Sequence, residues 1–190
     1  MSKGFLVFFI SLTCSAAVFA QTGQGGGAGV QGKAGGNGPS AQPDVLEFIR
    51  ANNELMPVFN LGRWFSFVYT VEKARTDLRL SGEQLKVFSE KMRDIKKTER
   101  LDPDAVYRTH LLLEDTLTVD QLRAVELLAG EYYTAYLQQQ PTKPGMGGPR
   151  QKMISWIKGG PFNILSDPGI SMGKDFLDFF AYIENTLADR

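Results

Sequence analysis

The chain has 190 residues, with 21 lysines and arginines against 21 aspartates and glutamates. A net charge of zero gives no electrostatic drive toward nucleic acid or an anionic membrane. One cysteine and one histidine exclude a disulfide framework and supply too few soft ligands for a transition-metal centre.

The N-terminus reads as an export signal. Lys3 precedes an apolar block over residues 5–12, and small residues lead to Val18-Phe19-Ala20. A basic start, an apolar middle and a small-residue cut site are the three parts of a secretory signal, here residues 1–20. The apolar run falls short of the roughly 20 residues a membrane-spanning helix needs. An extracytoplasmic, most simply periplasmic, location follows, with secretion as an alternative. Lipid anchoring through Cys14 is less favoured, because Leu12-Thr13 rather than small residues precede it. Cleavage after Ala20 removes Lys3 and Cys14, leaving 20 basic against 21 acidic residues and no cysteine. The mature fold then depends on its core alone.

Residues 21–42 carry nine glycines between Gly23 and Gly38, set among Gln, Ala and Asn. Such a segment has little to bury and the largest ordering cost, so it reads as a disordered leader. Residues 43–190 then form one helical domain. Its first helix is expected near Pro43-Asp44, with Val45, Leu46, Phe48 and Ile49 on its apolar side, and Asn52-Asn53 and Pro57 interrupting it. Residues 64–71 are rich in strand-favouring aromatic and β-branched side chains. Val58, Leu61, Phe65 and Val68 nevertheless keep helical spacing, and a lone strand would have no partner, so a helix is expected.

The sharpest signal is a repeated hexad. Leu80-Ser81-Gly82-Glu83-Gln84-Leu85 returns as Leu117-Thr118-Val119-Asp120-Gln121-Leu122. Ser81 and Thr118 suit the N-cap, and Gln84 and Gln121 fall at the third helical position, where their side chains reach back to the cap amide. Leu80 with Leu85, and Leu117 with Leu122, hold the staple positions on either side. Asp102-Pro103 marks a third start, with Leu101 and Val106 as its staple. Helices therefore begin near Gly82, Pro103 and Val119. Leu85, Phe88, Met92 and Ile95 stripe the first, Val106, His110 and Leu113 the second, and Leu122, Val125, Ala129, Tyr132 and Tyr136 the third. A Pro/Gly loop over 141–150, a short helix over 151–158, a turn at Asp167-Pro168-Gly169 and a last helix over 173–188 complete the chain. The last helix would bury Phe176, Phe179, Phe180, Ile183 and Leu187. The fold class is all-α: a single irregular antiparallel bundle of about five to seven helices.

The Leu-Ser/Thr-x-x-Gln pair, Leu80, Ser81 and Gln84 with Leu117, Thr118 and Gln121, resembles the LTxxQ signature of the Spy/CpxP-like periplasmic proteins. The resemblance implies an exported, all-helical protein akin to ATP-independent chaperones, stress-signalling regulators and metal-linked sensors. This chain departs from that pattern in its neutral charge, its spacing of 37 residues between motifs and its lack of metal ligands.

No catalytic constellation appears. His110, on an apolar stripe, reads as a packed structural side chain. Asp102 and Asp104 read as a cap and a first-turn acid. The Lys91, Arg93, Lys96, Lys97 and Arg100 run reads as a solvated helix end favoured by the dipole. No catalytic, cofactor-binding or metal-ligating residues are assigned, and no cofactor is expected. The expected function is non-enzymatic: an exported chaperone-like or stress-response module that binds other proteins, either unfolded clients or envelope components. The alternative is a structural or assembly component of an envelope or surface complex. Nucleic acid is not expected as a partner, nor is a transmembrane segment after signal cleavage.

Overall fold

A computed structural model describes residues 45–139 and 148–189, and places seven α-helices in them. The export signal, the glycine-rich leader, the helix start at Pro43-Asp44 and most of the Pro/Gly loop lie outside these residues. The helices are α1 (Val45–Glu54), α2 (Met56–Ala74), α3 (Gly82–Lys97), α4 (Pro103–Thr116), α5 (Val119–Gln139), α6 (Gly148–Ile157) and α7 (Ser171–Ala188), with a 3₁₀ turn at Thr76–Leu78. Among the described residues none of these is long and apolar enough to cross a membrane.

The all-helical bundle is organised on α2. This helix packs against α4, α5 and α7, while α3 lies against α7 and α4, and α1 pairs with α6. Being contacted on several sides explains its composition. Val58, Phe59, Leu61, Trp64, Phe65, Val68 and Val71 are all buried, over a wide arc of the helix surface. Their strand preference is overruled because a central helix needs bulky side chains in several directions, and tertiary burial outweighs local propensity.

The core is aromatic. Phe65, Phe88, Phe176 and Phe179 have no exposed surface. Phe65 meets Phe176 edge-on at 5.3 Å between centroids, and Phe88 meets Phe179 at 6.0 Å. Such pairs add about 0.5–1.5 kcal/mol each beyond the area they bury. At the start of α7, Gly173 lets the helix backbone lie directly against the 164–167 turn. A Cβ at this position would be driven into the carbonyl oxygens of Ile164 and Asp167.

The segment after α6 ties down the α3–α4 connection. Asn163 Nδ2 donates to Ile95 O and Thr98 O, both at 2.7 Å, and so satisfies the carbonyl end of α3. Its Oδ1 accepts from Leu165 N and Ser166 N. Arg100 stacks on Trp156 at 3.7 Å and donates to Gly160 O, beside a parallel bridge between Arg100 and Phe162.

Two boundaries and one buried face differ from the sequence reading. The α1–α2 break falls at Leu55, and Pro57 opens α2 in its first turn, where its missing N–H costs nothing. Helix α6 begins at Gly148 rather than 151, so the Pro/Gly loop ends sooner; Pro149 falls in a first turn. On α5 the stripe is rotated: Gln121 and Val125 are buried, whereas Tyr132 is 47% exposed and Leu122 and Ala129 lie half-buried on a flank.

Candidate functional site

Both hexads form reciprocal capping boxes. Gln84 N donates to Ser81 Oγ at 3.2 Å, and Ser81 N donates to Gln84 Oε1 at 2.8 Å. In the second, Gln121 N donates to Thr118 Oγ1 at 3.3 Å and Thr118 N to Gln121 Oε1 at 2.8 Å. Asp102 caps α4, accepting from Asp104 N at 3.2 Å. Leu80, Leu85 and Leu117 are buried, and Leu122 is half-buried.

The structure also brings the two boxes together, which their 37-residue spacing did not reveal. Gln84 Nε2 donates to Gln121 Oε1 at 2.8 Å, and Gln121 Nε2 donates back to Gln84 Oε1 at 3.3 Å. Each amide then reaches the opposite turn. Gln84 Nε2 donates to Thr116 O at 2.7 Å, and Gln121 Nε2 lies 3.1 Å from both Leu78 O and Arg79 O. Each glutamine thus caps its own helix while holding the backbone of the other hairpin. This glutamine lock pins the turn before α3 to the turn before α5.

Glu72 extends the network from α2. It is 3% exposed, accepts from Leu80 N at 2.7 Å through Oε2 and from Tyr182 OH at 2.9 Å through Oε1. Burial, and next the bond to Glu72, push the Tyr182 hydroxyl above its ordinary pKa. Glu72, Gln121, Leu80 and Leu117 border a void of about 10 Å³. That is room for one water, so the lock has no space for an organic ligand. Sequence reasoning missed Glu72. The available signal was an acid one turn after Val68, on the apolar arc of α2.

His110 packs its ring edge-on against Trp64 at 4.9 Å. Its Nε2 lies 3.4 Å from Glu114 Oε1, but the alignment makes no hydrogen bond, and Nε2 and Trp64 Nε1 are both buried without a partner among the described residues. Burial lowers the histidine pKa to about 4, so the ring is neutral near neutral pH and the close approach to Glu114 is not an ion pair. The Glu114 carboxyl is pushed up by burial first, and then by repulsion from Glu126 and Asp115.

Helices α4 and α5 each pack on α2. Tyr107, Leu111 and Glu114 share one flank of α4 at i, i+4, i+7 spacing, and Leu122, Glu126 and Tyr133 share one flank of α5. Among the described residues neither acid is ion-paired with a lysine or arginine.

An open groove of about 460 Å³ lies at the other end of α3, bordered by Lys96, Lys97, Lys152, Asn163 and Asp167. Several of its polar side chains are already engaged: Asn163 caps α3, Lys152 pairs with Asp167 at 3.1 Å, and Lys96 lies over the Phe180 ring. Among the described residues no three His, Cys, Asp or Glu side chains converge as metal ligands would. No protein-family model, no curated protein and no solved structure matches the chain.

Proposed function

We propose that this is an exported, non-enzymatic protein-binding module of the chaperone or stress-response type, working in the periplasm or a comparable envelope space. The compartment rests on the signal-like residues 1–20, and the type rests on the paired Leu-Ser/Thr-x-x-Gln motifs. The observation that carries the binding role is where the described domain leaves apolar surface uncovered. Its most exposed large apolar side chains fall on only two places: Val45, Leu46 and Ile49 on α1, and Tyr107, Leu112, Val119, Leu127 and Tyr132 on the α4–α5 hairpin. Scattered exposed apolar residues are normal, whereas concentration on two elements favours contact with other polypeptides. The glutamines of the motif are consumed in the lock, so the motif serves the scaffold and the helix surfaces serve the partner.

The test is aggregation of a chemically denatured client, followed by light scattering with and without the full-length protein. Suppression at a few-fold molar excess is expected, and equal suppression by an inert protein at equal mass refutes the reading. Crosslinking in the native cell supplies the complementary result. Many substoichiometric partners accord with client binding, and one stoichiometric partner replaces it with the assembly role.

A further inference from the structure

We propose that the outer face of α5 pairs with the same face of a second copy of this chain, the two helices crossing antiparallel at Leu127 with Arg123 of each copy against Glu131 of the other. The inference goes beyond the protein-binding reading and does not depend on it, because self-association needs no client.

The inward side of α5 is settled by its contacts. Gln121 and Val125 are buried, Leu128 packs against the core, and Tyr132 meets Phe67 edge-on at 5.5 Å. The opposite side is the stripe Arg123, Leu127, Gly130, Glu131 and Thr134, all five exposed and at helical spacing. Leu127 is 64% exposed, and none of the α5 side chains described after Val125 is buried. A single exposed leucine needs no explanation. The charges around it point to a second copy. Arg123 lies one turn before Leu127 and Glu131 one turn after it, and among the described residues neither is ion-paired. They stand about 12 Å apart along the helix, too far to pair with each other. A two-fold axis at the level of Leu127 brings each residue level with the one equally far on the other side of Leu127. Arg123 then meets Glu131 of the second copy, twice over. The register is selective. Parallel pairing sets Arg123 against Arg123 and Glu131 against Glu131. Shifting an antiparallel crossing toward the N-terminus brings Asp120 level with Glu131, and shifting it toward the C-terminus brings Glu126 level with Glu131. Each of these opposes like charges, which suppresses the wrong pairing. Gly130 supplies the room. A Cβ there would meet nothing within 4 Å, and a glycine within a helix weakens it relative to alanine. Standing one residue before Glu131, it lets the aliphatic stem of the incoming Arg123 lie against the helix on its way to the carboxylate. The contacts are the same on both copies, so the pairing closes as a dimer. One helix face is smaller than the roughly 1,200–2,000 Å² of a standard interface, so the dimer dissociates at micromolar concentration or above.

Sedimentation velocity of the full-length chain over a concentration series reads the monomer–dimer equilibrium. Arg123→Glu and Glu131→Arg each set like charges level and are expected to weaken dimerisation at least tenfold. The two together restore opposite charges and are expected to return it to within threefold of wild type. Leu127→Ser is expected to weaken it at least tenfold. All three positions are exposed, and thermal melts of the same samples establish that each variant is folded. Cysteine placement reads the register. In a chain carrying Cys14→Ser, Leu127→Cys meets its own copy at the two-fold axis and is expected to give a disulfide-linked dimer on mild oxidation, whereas Arg123→Cys is expected to stay uncrosslinked. A chain that is monomeric up to millimolar concentration, a dimer indifferent to both charge reversals, or a double reversal that fails to restore pairing overturns the proposal. Client protection by a protein that stays monomeric overturns the dimer and leaves the protein-binding reading standing. A charge-dependent dimer without client protection supports the pairing and overturns the chaperone-like reading.

Discussion

Gln121→Ala is the most direct perturbation of the glutamine lock. Gln121 is 5% exposed, and its side chain makes bonds to Thr118 N, Gln84 Nε2, Leu78 O and Arg79 O. Thr118 and Arg79 are exposed, so water replaces part of what they lose. The Gln84 amide and Leu78 are half-buried and lose a partner in a place water reaches poorly. An unsatisfied group of that kind costs about 1–3 kcal/mol, and the vacated volume adds a cavity cost. The expected loss is about 3 kcal/mol, or a fall of about 10 °C in melting temperature for a domain this size.

Gln121→Glu isolates the donor from the shape. It retains the acceptor for Thr118 N but replaces the donor with a second oxygen aimed at Leu78 O and Arg79 O. The expected loss near neutral pH is about 2 kcal/mol despite the matched size. Burial and the facing carbonyl oxygens of Leu78 and Arg79 disfavour the ionised form of the introduced carboxyl, so its folded pKa is expected above the unfolded value. Its favourable contribution is therefore complete below the unfolded pKa and lost as pH rises through the folded one. The deficit of Gln121→Glu relative to wild type should narrow as pH falls from about 7 to about 4. Urea unfolding at several pH values measures this. In a double-mutant cycle, Gln84→Ala and Gln121→Ala should be coupled by about 1–2 kcal/mol. Additive effects, or Gln121→Glu as stable as wild type near neutral pH, would show that the reciprocal amide contact is not an energetic feature of the fold.

Four further outcomes are expected. Ser81→Ala and Thr118→Ala should each cost about 1 kcal/mol in urea unfolding; unchanged stability with lost partner binding would contradict their capping role. Gly173→Ala, which forces α7 away from the backbone of Ile164 and Asp167, should cost at least about 2 kcal/mol. Gly62→Ala meets only the side chains of Leu165 and Met172 and should cost less, while Gly130→Ala, in open space on an exposed turn of α5, should stabilise by about 0.5–1 kcal/mol. His110 supplies the pH test. Its pKa falls from 6.5 to about 4 on folding, so the unfolded chain binds more protons between those values and stability falls as pH drops through that window. The shift corresponds to about 3 kcal/mol as an upper bound, partly offset by Glu114, whose raised folded pKa makes protonation favour the fold as the solution is acidified. His110→Leu should flatten the wild-type loss between about pH 7 and 4, and an unchanged slope would remove His110 as its source.

The sequence was most informative where a signal is local. The caps at Ser81, Asp102 and Thr118 are each decided within a few residues, and the structure places all three helix starts there. The repeat itself was visible, but that Gln84 and Gln121 touch was not, because the spacing along the chain contains no information about which turns meet. The α5 stripe was misread for a related reason. Leu122 and Tyr132 are apolar at helical spacing, yet the position that turns inward is Gln121, a polar residue buried because its amide has partners on another element. Residues 64–71 show the converse, where a strong local preference yields to a central position in the bundle. Asn163 and Glu72 were hidden because their partners are 68 and 110 residues away at Ile95 and Tyr182.

The lock also sets the place of the α4–α5 turn. The turn joining α4 to α5 is held by Gln84 through Thr116 O, and by Gln121 to Leu78 O and Arg79 O at the end of the 3₁₀ turn before α3. Its position is therefore set by the turn before α3, while α4 and α5 both lean on α2. A helical hairpin left to itself would close its apolar flanks together. Anchoring its turn from outside fixes the hairpin that carries the exposed Tyr107, Leu112, Val119, Leu127 and Tyr132. Weakening the lock should then alter client protection as well as stability. Gln84→Ala, which leaves all five of these side chains in place, is the variant that separates the two: it should reduce suppression of client aggregation while the protein is still folded. If suppression stays at the wild-type level, the motif governs stability alone.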